Sequence, residues 1–199
     1  MRSLTFASLT FVFVLSACNF PNEEPARYYY HYNDTDTPLW EDHNSITVKI
    51  DQKRSAEVTR DLSALSAYSI QKDFSNDEYL RMSANPRANN AARMSALTMI
   101  RALDGVISAN YNLWYNSSLI GYTDEFLARM TGDASMEEFR EFLDQHGVKI
   151  DYNFPYDERL FLLTIPKGDN LLNMVEKFRQ SPLISNAEPN FIIPVNLLD

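Results

Sequence analysis

RLFLLTIPKGDNLLNMVEKFRQSPLISNAEPNF, residues 159–191, is the stretch whose reading decides the fold. Leu160, Phe161, Leu162, Leu163 and Ile165 make a short apolar run closed by Pro166, Lys167 and Gly168, which predicts a strand followed by a turn. Leu171, Leu172, Val175 and Phe178 then recur at helical spacing, and Pro182 ends that helix. A second strand follows over 183–191. The same order, strand, helix and strand, occurs earlier in the chain.

Displacing the chain by 80 positions lays residues 44–86 on 124–166 without a gap. Identities fall at Ser55/Ser135, Glu57/Glu137, Arg60/Arg140, Ile70/Ile150, Phe74/Phe154, Asp77/Asp157, Glu78/Glu158, Leu80/Leu160 and Pro86/Pro166. Apolar residues also meet apolar ones, at Ile46/Phe126, Ile50/Met130, Leu62/Phe142 and Met82/Leu162. Beyond Pro86 a displacement of 78 pairs Met94/Leu172, Leu97/Val175, Ile100/Phe178, Arg101/Arg179, Val106/Ile184, Ala109/Ala187 and Asn112/Asn190. Chance scatters identities, but it seldom keeps apolar phase through a whole unit, so a duplication is the reading.

Each copy has the same pattern. Ile46, Val48 and Ile50 alternate with polar residues as in a half-buried strand. Ser55 is placed to cap a helix carrying Val58, Leu62 and Leu65. Two strands, 68–74 and 79–84, flank a Ser75-Asn76-Asp77 turn. A helix over 94–103 and a strand over 106–114 complete the copy. In the second copy Ser135 caps a helix with Phe139, Phe142 and Leu143 that stops at Gly147. The order βαββαβ is the ferredoxin-like split unit, an antiparallel sheet with two helices on one face. The expected fold is therefore α+β with two tandem ferredoxin-like units, at 44–114 and 124–192, joined by a connector at 115–123. A unit of about 70 residues buries only ~60% of its unfolded surface, so the two should share an interface or keep a sheet face for a partner.

The N-terminus reads as a sorting signal. Arg2 supplies positive charge, residues 4–15 an apolar segment, and Leu15-Ser16-Ala17-Cys18 a small-residue exit. The segment is shorter than the ~20 residues a spanning helix needs. LSAC resembles the bacterial lipobox, which implies cleavage after residue 17 and a diacylglycerol thioether on Cys18. A plain secretory signal with an incidental cysteine is the other reading. Cys18 is the only cysteine, so no disulfide forms within the chain. The lipobox resemblance implies a protein of the bacterial cell envelope, lipid-anchored at the outer membrane or cell surface. Residues 18–43 carry Pro21, Pro25 and Pro38 and a Tyr28-Tyr29-Tyr30-His31-Tyr32 cluster without sustained period, and are expected to be a tether. The tyrosines are either a patch for glycan or a run that packs back on the domain.

A net charge of −9 argues against nucleic acid as partner, because a phosphate backbone is met with Lys and Arg. His31, His43 and His146 are isolated and lack metal-ligand spacing. Asp34-Thr35-Asp36 lacks the later Gly and Glu of a calcium loop. The recurring Asp77-Glu78 and Asp157-Glu158 sit in turns. No G-x-S-x-G or phosphate loop is present. Neither catalysis, a metal nor a cofactor is expected.

Residues 126–192 resemble the N-terminal prodomain of subtilisin-like serine proteases, the fervidolysin-like group in particular and the inhibitor I9-like class in general. The matching pieces are FLARMTGD, the helix end His146-Gly147-Val148, a strand closing on a proline, and the ending that contains Ala187-Glu188-Pro189-Asn190. The first copy matches only through the repeat, with Ala109-Asn110-Tyr111-Asn112 in place of that ending. The resemblance implies a sheet that packs on a protease and templates its folding, followed by an extended segment lying in the active-site cleft. Carried over, Glu188 lies near the protease surface. The tail at 193–199 enters the cleft, with Val195, Asn196, Leu197, Leu198 and Asp199 as contacts. No catalytic domain follows within this sequence, so action in trans on a subtilisin-like protease is expected. A non-inhibitory structural or adhesive surface lipoprotein is the alternative.

Overall fold

The computed structural model describes residues 28–32, 35–76 and 78–193. The expected signal segment, Cys18 and residues 194–199 lie outside them. The elements are β1 (Tyr28–Tyr32), β2 (Thr35–Ile50), a 3-10 turn (Gln52–Arg54), α1 (Ser55–Ser63), β3 (Tyr68–Asn76), β4 (Tyr79–Ala84) and α2 (Asn90–Ala102). They continue with β5 (Val106–Tyr115), β6 (Ser118–Met130), α3 (Met136–Gln145), β7 (Lys149–Asn153), β8 (Leu160–Thr164), α4 (Leu171–Arg179) and β9 (Ile184–Ile192). The fold is mixed α/β, a large antiparallel sheet with four α-helices. Its strand order is β3-β4-β2-β5-β6-β8-β7, with β1 added to β2 and β9 to β6.

The two halves follow one plan. Each runs strand, helix, strand, strand, helix, strand, and the order within the sheet is β3-β4-β2-β5 in the first and β7-β8-β6-β9 in the second. Backbone bonds recur at matching places: Asp51 N donates to Gly105 O at 2.8 Å, and Thr131 N to Leu183 O at 2.9 Å. The last-turn arginine of each second helix returns to the strand that follows. Arg101 Nε donates to Ala109 O and Arg179 Nε to Ala187 O, each at 2.7 Å.

The correspondence slips by one residue in two places. Ile46 pairs with Met82, whereas Phe126 pairs with Leu163. Met82 therefore corresponds to buried Leu163, not to Leu162, and Leu80 to Phe161, not to Leu160. The two hairpins carry different irregularities, in β7 between Ile150 and Tyr152 and in β3 between Gln71 and Asn76, so the second is one residue longer between Ile150 and Leu163 than the first between Ile70 and Met82. At the first helices, Ser135 accepts from Glu138 N and completes a capping box. Ser55 is instead the first residue of α1, and no side chain caps that helix, because Asp51 has opened the preceding 3-10 turn. Leu62 thus matches Leu143, both buried, rather than Phe142.

Two cores result. One gathers Ile46, Val48, Val58, Leu62, Met82 and Ile100 under α1 and α2. The other gathers Phe126, Phe139, Phe161, Leu163, Val175 and Phe178 under α3 and α4, with Phe126 set edge-on to Phe178 at 4.9 Å. The second core also contains Tyr28, Leu39, Leu113, Ile120 and Tyr122. This corrects two expected boundaries. Residues 28–32 and 35–43 of the segment expected as a tether are sheet, β1 paired to the first part of β2. The expected connector is a hairpin joining β5 to β6, with Tyr115 opposite Ser118 and the two loop residues, Asn116 and Ser117, at φ 44° and 69°. Positive φ at both central residues is the turn that matches strand twist. No helix among the described residues is long and apolar enough to cross a membrane.

Candidate functional site

The face of each half turned away from its helices is the surface on which the two halves differ most. On the first half it is covered along β2, while Ser69, Gln71, Arg81 and Ser83 on β3 and β4 stay accessible. Ser45, Thr47 and Lys49 are all buried on β2. The start of β6 lies against them: a Cβ on Gly121 would collide with Thr47 Oγ1, so only glycine permits that approach. Thr47 Oγ1 donates to Asn112 Oδ1 at 2.6 Å, and Asn110 Nδ2 to Thr123 O at 3.0 Å. Lys49 Nζ donates to Glu125 Oε1 and stands 3.5 Å from Asp124 Oδ1 and 4.0 Å from Glu78 Oε1. Asn190 Nδ2 holds the other oxygen of Glu125 at 3.1 Å.

One buried cation therefore faces three carboxylates, Asp124 and Glu125 across the seam between the halves and Glu78 from its own half. Burial alone would lower the Lys49 pKa, but the hydrogen bond to Glu125 and the charges of Asp124 and Glu125 outweigh it and hold it above its usual value. Burial pushes Asp124 up, opposed by Lys49, and its Oδ1 has no hydrogen-bond partner. Burial, with the charges of Glu125 and Glu78, raises Tyr79 to about 12.

On the second half the face is open beyond this seam. Tyr152 stands opposite Leu162, Leu162 opposite Leu127, and Leu127 opposite Glu188. This row crosses all four strands, apolar over three of them and ending in a carboxylate. A neighbouring row runs Leu160, Arg129 and Asn186. Arg129 is tied to Asp157 at 2.5 Å, and Asp157 also accepts from Arg159 N at 3.1 Å, which fixes the turn before β8. Along the border Tyr152 meets Phe154 edge to face at 5.0 Å, and Phe154 meets Tyr156 at a tilt, with centroids 5.5 Å apart.

The sequence-predicted site residues divide accordingly. Glu188 is half-buried on β9, and Tyr30 Oη donates to its Oε2 at 3.3 Å. The Tyr30 ring packs on Phe191 and Tyr115, at 5.3 and 5.6 Å. Tyr28 Oη accepts from Asn170 Nδ2 at 3.0 Å, so the tyrosine cluster is partly structural. Cys18, Val195, Asn196, Leu197, Leu198 and Asp199 lie outside the described residues, as do Asp34 and Asp77. His43 stacks on Tyr111, and His146 packs on Phe142 while its Nδ1 donates to Phe142 O at 2.9 Å. No group of three or more His, Cys, Asp and Glu among the described residues is arranged to hold a metal ion.

Two features escaped the sequence reading. The Lys49 seam was hidden because its polar residues occupy the outward phase of their strands, where solvent is the ordinary environment. The aromatic border did carry a signal, a spacing of two at Tyr152, Phe154 and Tyr156. Clefts of about 440 and 340 Å³ at the junction share Asp124, Ile165, Pro166 and Lys167. Of their long cations Arg54 is held by Asp104 and Glu57, Arg101 by Ala109 O and Asn110, and Lys167 by Val106 O, while Lys149 lines the first cleft without such a bond to any described residue. Compared with known protein families and with curated proteins, the chain matches none.

Proposed function

We propose that this is an exported lipoprotein, lipidated on Cys18, built from two tandem ferredoxin-like units of which the second binds a subtilisin-like serine protease in trans and inhibits or chaperones it. The observation that carries the proposal is the asymmetry of the two faces. The seam covers β2 at the middle of the first unit's sheet and leaves polar Ser69, Gln71 and Arg81 beside it, while the second unit keeps the largely apolar Tyr152–Leu162–Leu127–Glu188 row open and leads from β9 into the apolar tail at 193–199. An extended tail supplies main-chain hydrogen bonds at a strand edge and side chains for alternate pockets. Pro194 lowers the entropy lost when such a segment binds. The protein acts by occupancy, without catalytic residues, cofactor or nucleic acid, from the cell envelope.

One observation favours a second reading, a non-inhibitory structural or adhesive surface lipoprotein. The carboxylate that the inhibitor needs at β9 is already held by Tyr30.

The test is an inhibition assay on a panel of subtilisin-like proteases, with the full chain and with residues 195–199 deleted, beside thermal unfolding of both. Inhibition that the deletion weakens at least tenfold, with an unchanged melting temperature, is expected. Protease activity untouched by either chain leaves the structural reading standing. Lipidation is tested separately: the wild type enters the detergent phase and Cys18→Ser stays aqueous, and equal partitioning of the two removes the anchor.

A further inference from the structure

β7 is the last strand in the sheet order, and β8 is its one partner among the described residues. All five of its residues are exposed, including Ile150 at 37% and Tyr152 at 50%. An edge strand offers unpaired N–H and C=O groups to another strand, and natural proteins blunt such edges with shortness, charge and bulges. β7 has all three, so it rejects indiscriminate partners and admits only a strand whose charges fit. Lys149 and Asp151 make no side-chain ion pair or hydrogen bond with any described residue.

We propose that β7 pairs antiparallel with β7 of a second copy of this chain, about a two-fold axis through Ile150. In that register Ile150 faces its own counterpart, and Lys149 of each copy faces Asp151 of the other, so two ion pairs form symmetrically. Opposite charges across a strand pair are favourable and like charges unfavourable, which selects this register. Centring on Asp151 would set two carboxylates against each other. Centring on Tyr152 would bring in Pro155, which has no N–H to donate. The arrangement is isologous and closes as a dimer. Its sheet faces continue across the axis, so both aromatic borders lie on the same side. The bulge after Ile150 confines the pairing to a few residues, which places the dimer in the small, transient class of interface.

Sedimentation velocity of the full chain over a wide concentration range tests this. The wild type is expected to shift from monomer to dimer as concentration rises, Asp151→Lys to remain monomeric, and the double variant Lys149→Asp, Asp151→Lys to regain the dimer. Because these side chains are exposed, circular dichroism and melting temperature should not move. The register has its own test. In a Cys18→Ser background, Ile150→Cys should form an intermolecular disulfide on oxidation, since directly opposed strand residues lie within disulfide range, and Lys149→Cys should not. A wild type monomeric up to its solubility limit overturns the proposal. So does a dimer that survives Asp151→Lys, or crosslinking through position 149 in preference to 150.

Discussion

At the scale of single residues, the seam sets the pH response. Asp124 is held above its ordinary value of 3.8 by burial, only partly offset by Lys49. A raised folded-state pKa means the fold binds that proton more tightly than the unfolded chain does. Its contribution is fully present below pH 3.8 and is lost as pH rises through the folded value, so the ionised group is a burden at neutral pH. Asp124→Asn is expected to raise stability at pH 7, with the gain shrinking toward zero below pH 4, as measured by urea unfolding at both pH values; a gain independent of pH would discount the carboxylate. Lys49 works in the opposite sense. Its removal, as in Lys49→Met, leaves Glu125 buried without its cation, and the expected loss is about 3–5 kcal/mol at neutral pH. In the cores, Ile100→Ala and Phe178→Ala should cost about 2–5 and 3–5 kcal/mol as fully buried truncations. A loss of only a few tenths at either would mean that the site collapses around the gap.

At the scale of elements, apolar periodicity made most of the structure legible. Ile46, Val48 and Ile50 announced β2, and Leu171, Leu172, Val175 and Phe178 announced α4, because one buried face at a fixed period leaves its mark on the sequence. What periodicity cannot register is a one-residue slip. The identity Ser55/Ser135 aligned two serines that do different work, since an added 3-10 turn moves one of them inside its helix. Ser135→Ala should therefore destabilise by about 1 kcal/mol, and Ser55→Ala by a few tenths at most. Equal losses in thermal unfolding would restore the alignment by identity. β1 was illegible for another reason. In Tyr28-Tyr29-Tyr30-His31-Tyr32 every residue is aromatic, so inward and outward positions look alike, and Leu39 is a single apolar inward residue in a polar stretch. The open row of the candidate site was equally hidden, because register, not local pattern, brings Tyr152, Leu162, Leu127 and Glu188 into line.

At the scale of the whole molecule, the two halves are not independent bodies. Tyr28, Leu39 and Leu113 come from the first part of the chain and are buried in the core of the second. Tyr28→Ala is thus expected to lower the melting temperature and to speed amide exchange on α4 and β9 more than on α1 and β3. Uniform acceleration over both halves would assign the strand a global role. The same strand has a consequence in time. Its hydrogen bond from Asn170 joins positions 142 residues apart, and the bond from Tyr30 to Glu188 spans 158. Contacts this far apart along the chain pay a large closure entropy before they reward it, and they slow folding. Strands 2–5 can assemble while synthesis continues, because their partners have already emerged. Residues 28–32 leave the ribosome ahead of all of these and can pair at once with the start of β2, yet Tyr28 and Tyr30 meet Asn170 and Glu188 only after α4 and β9 are made. Throughout elongation the rings of this hairpin await their place, and a holding chaperone has long purchase on them.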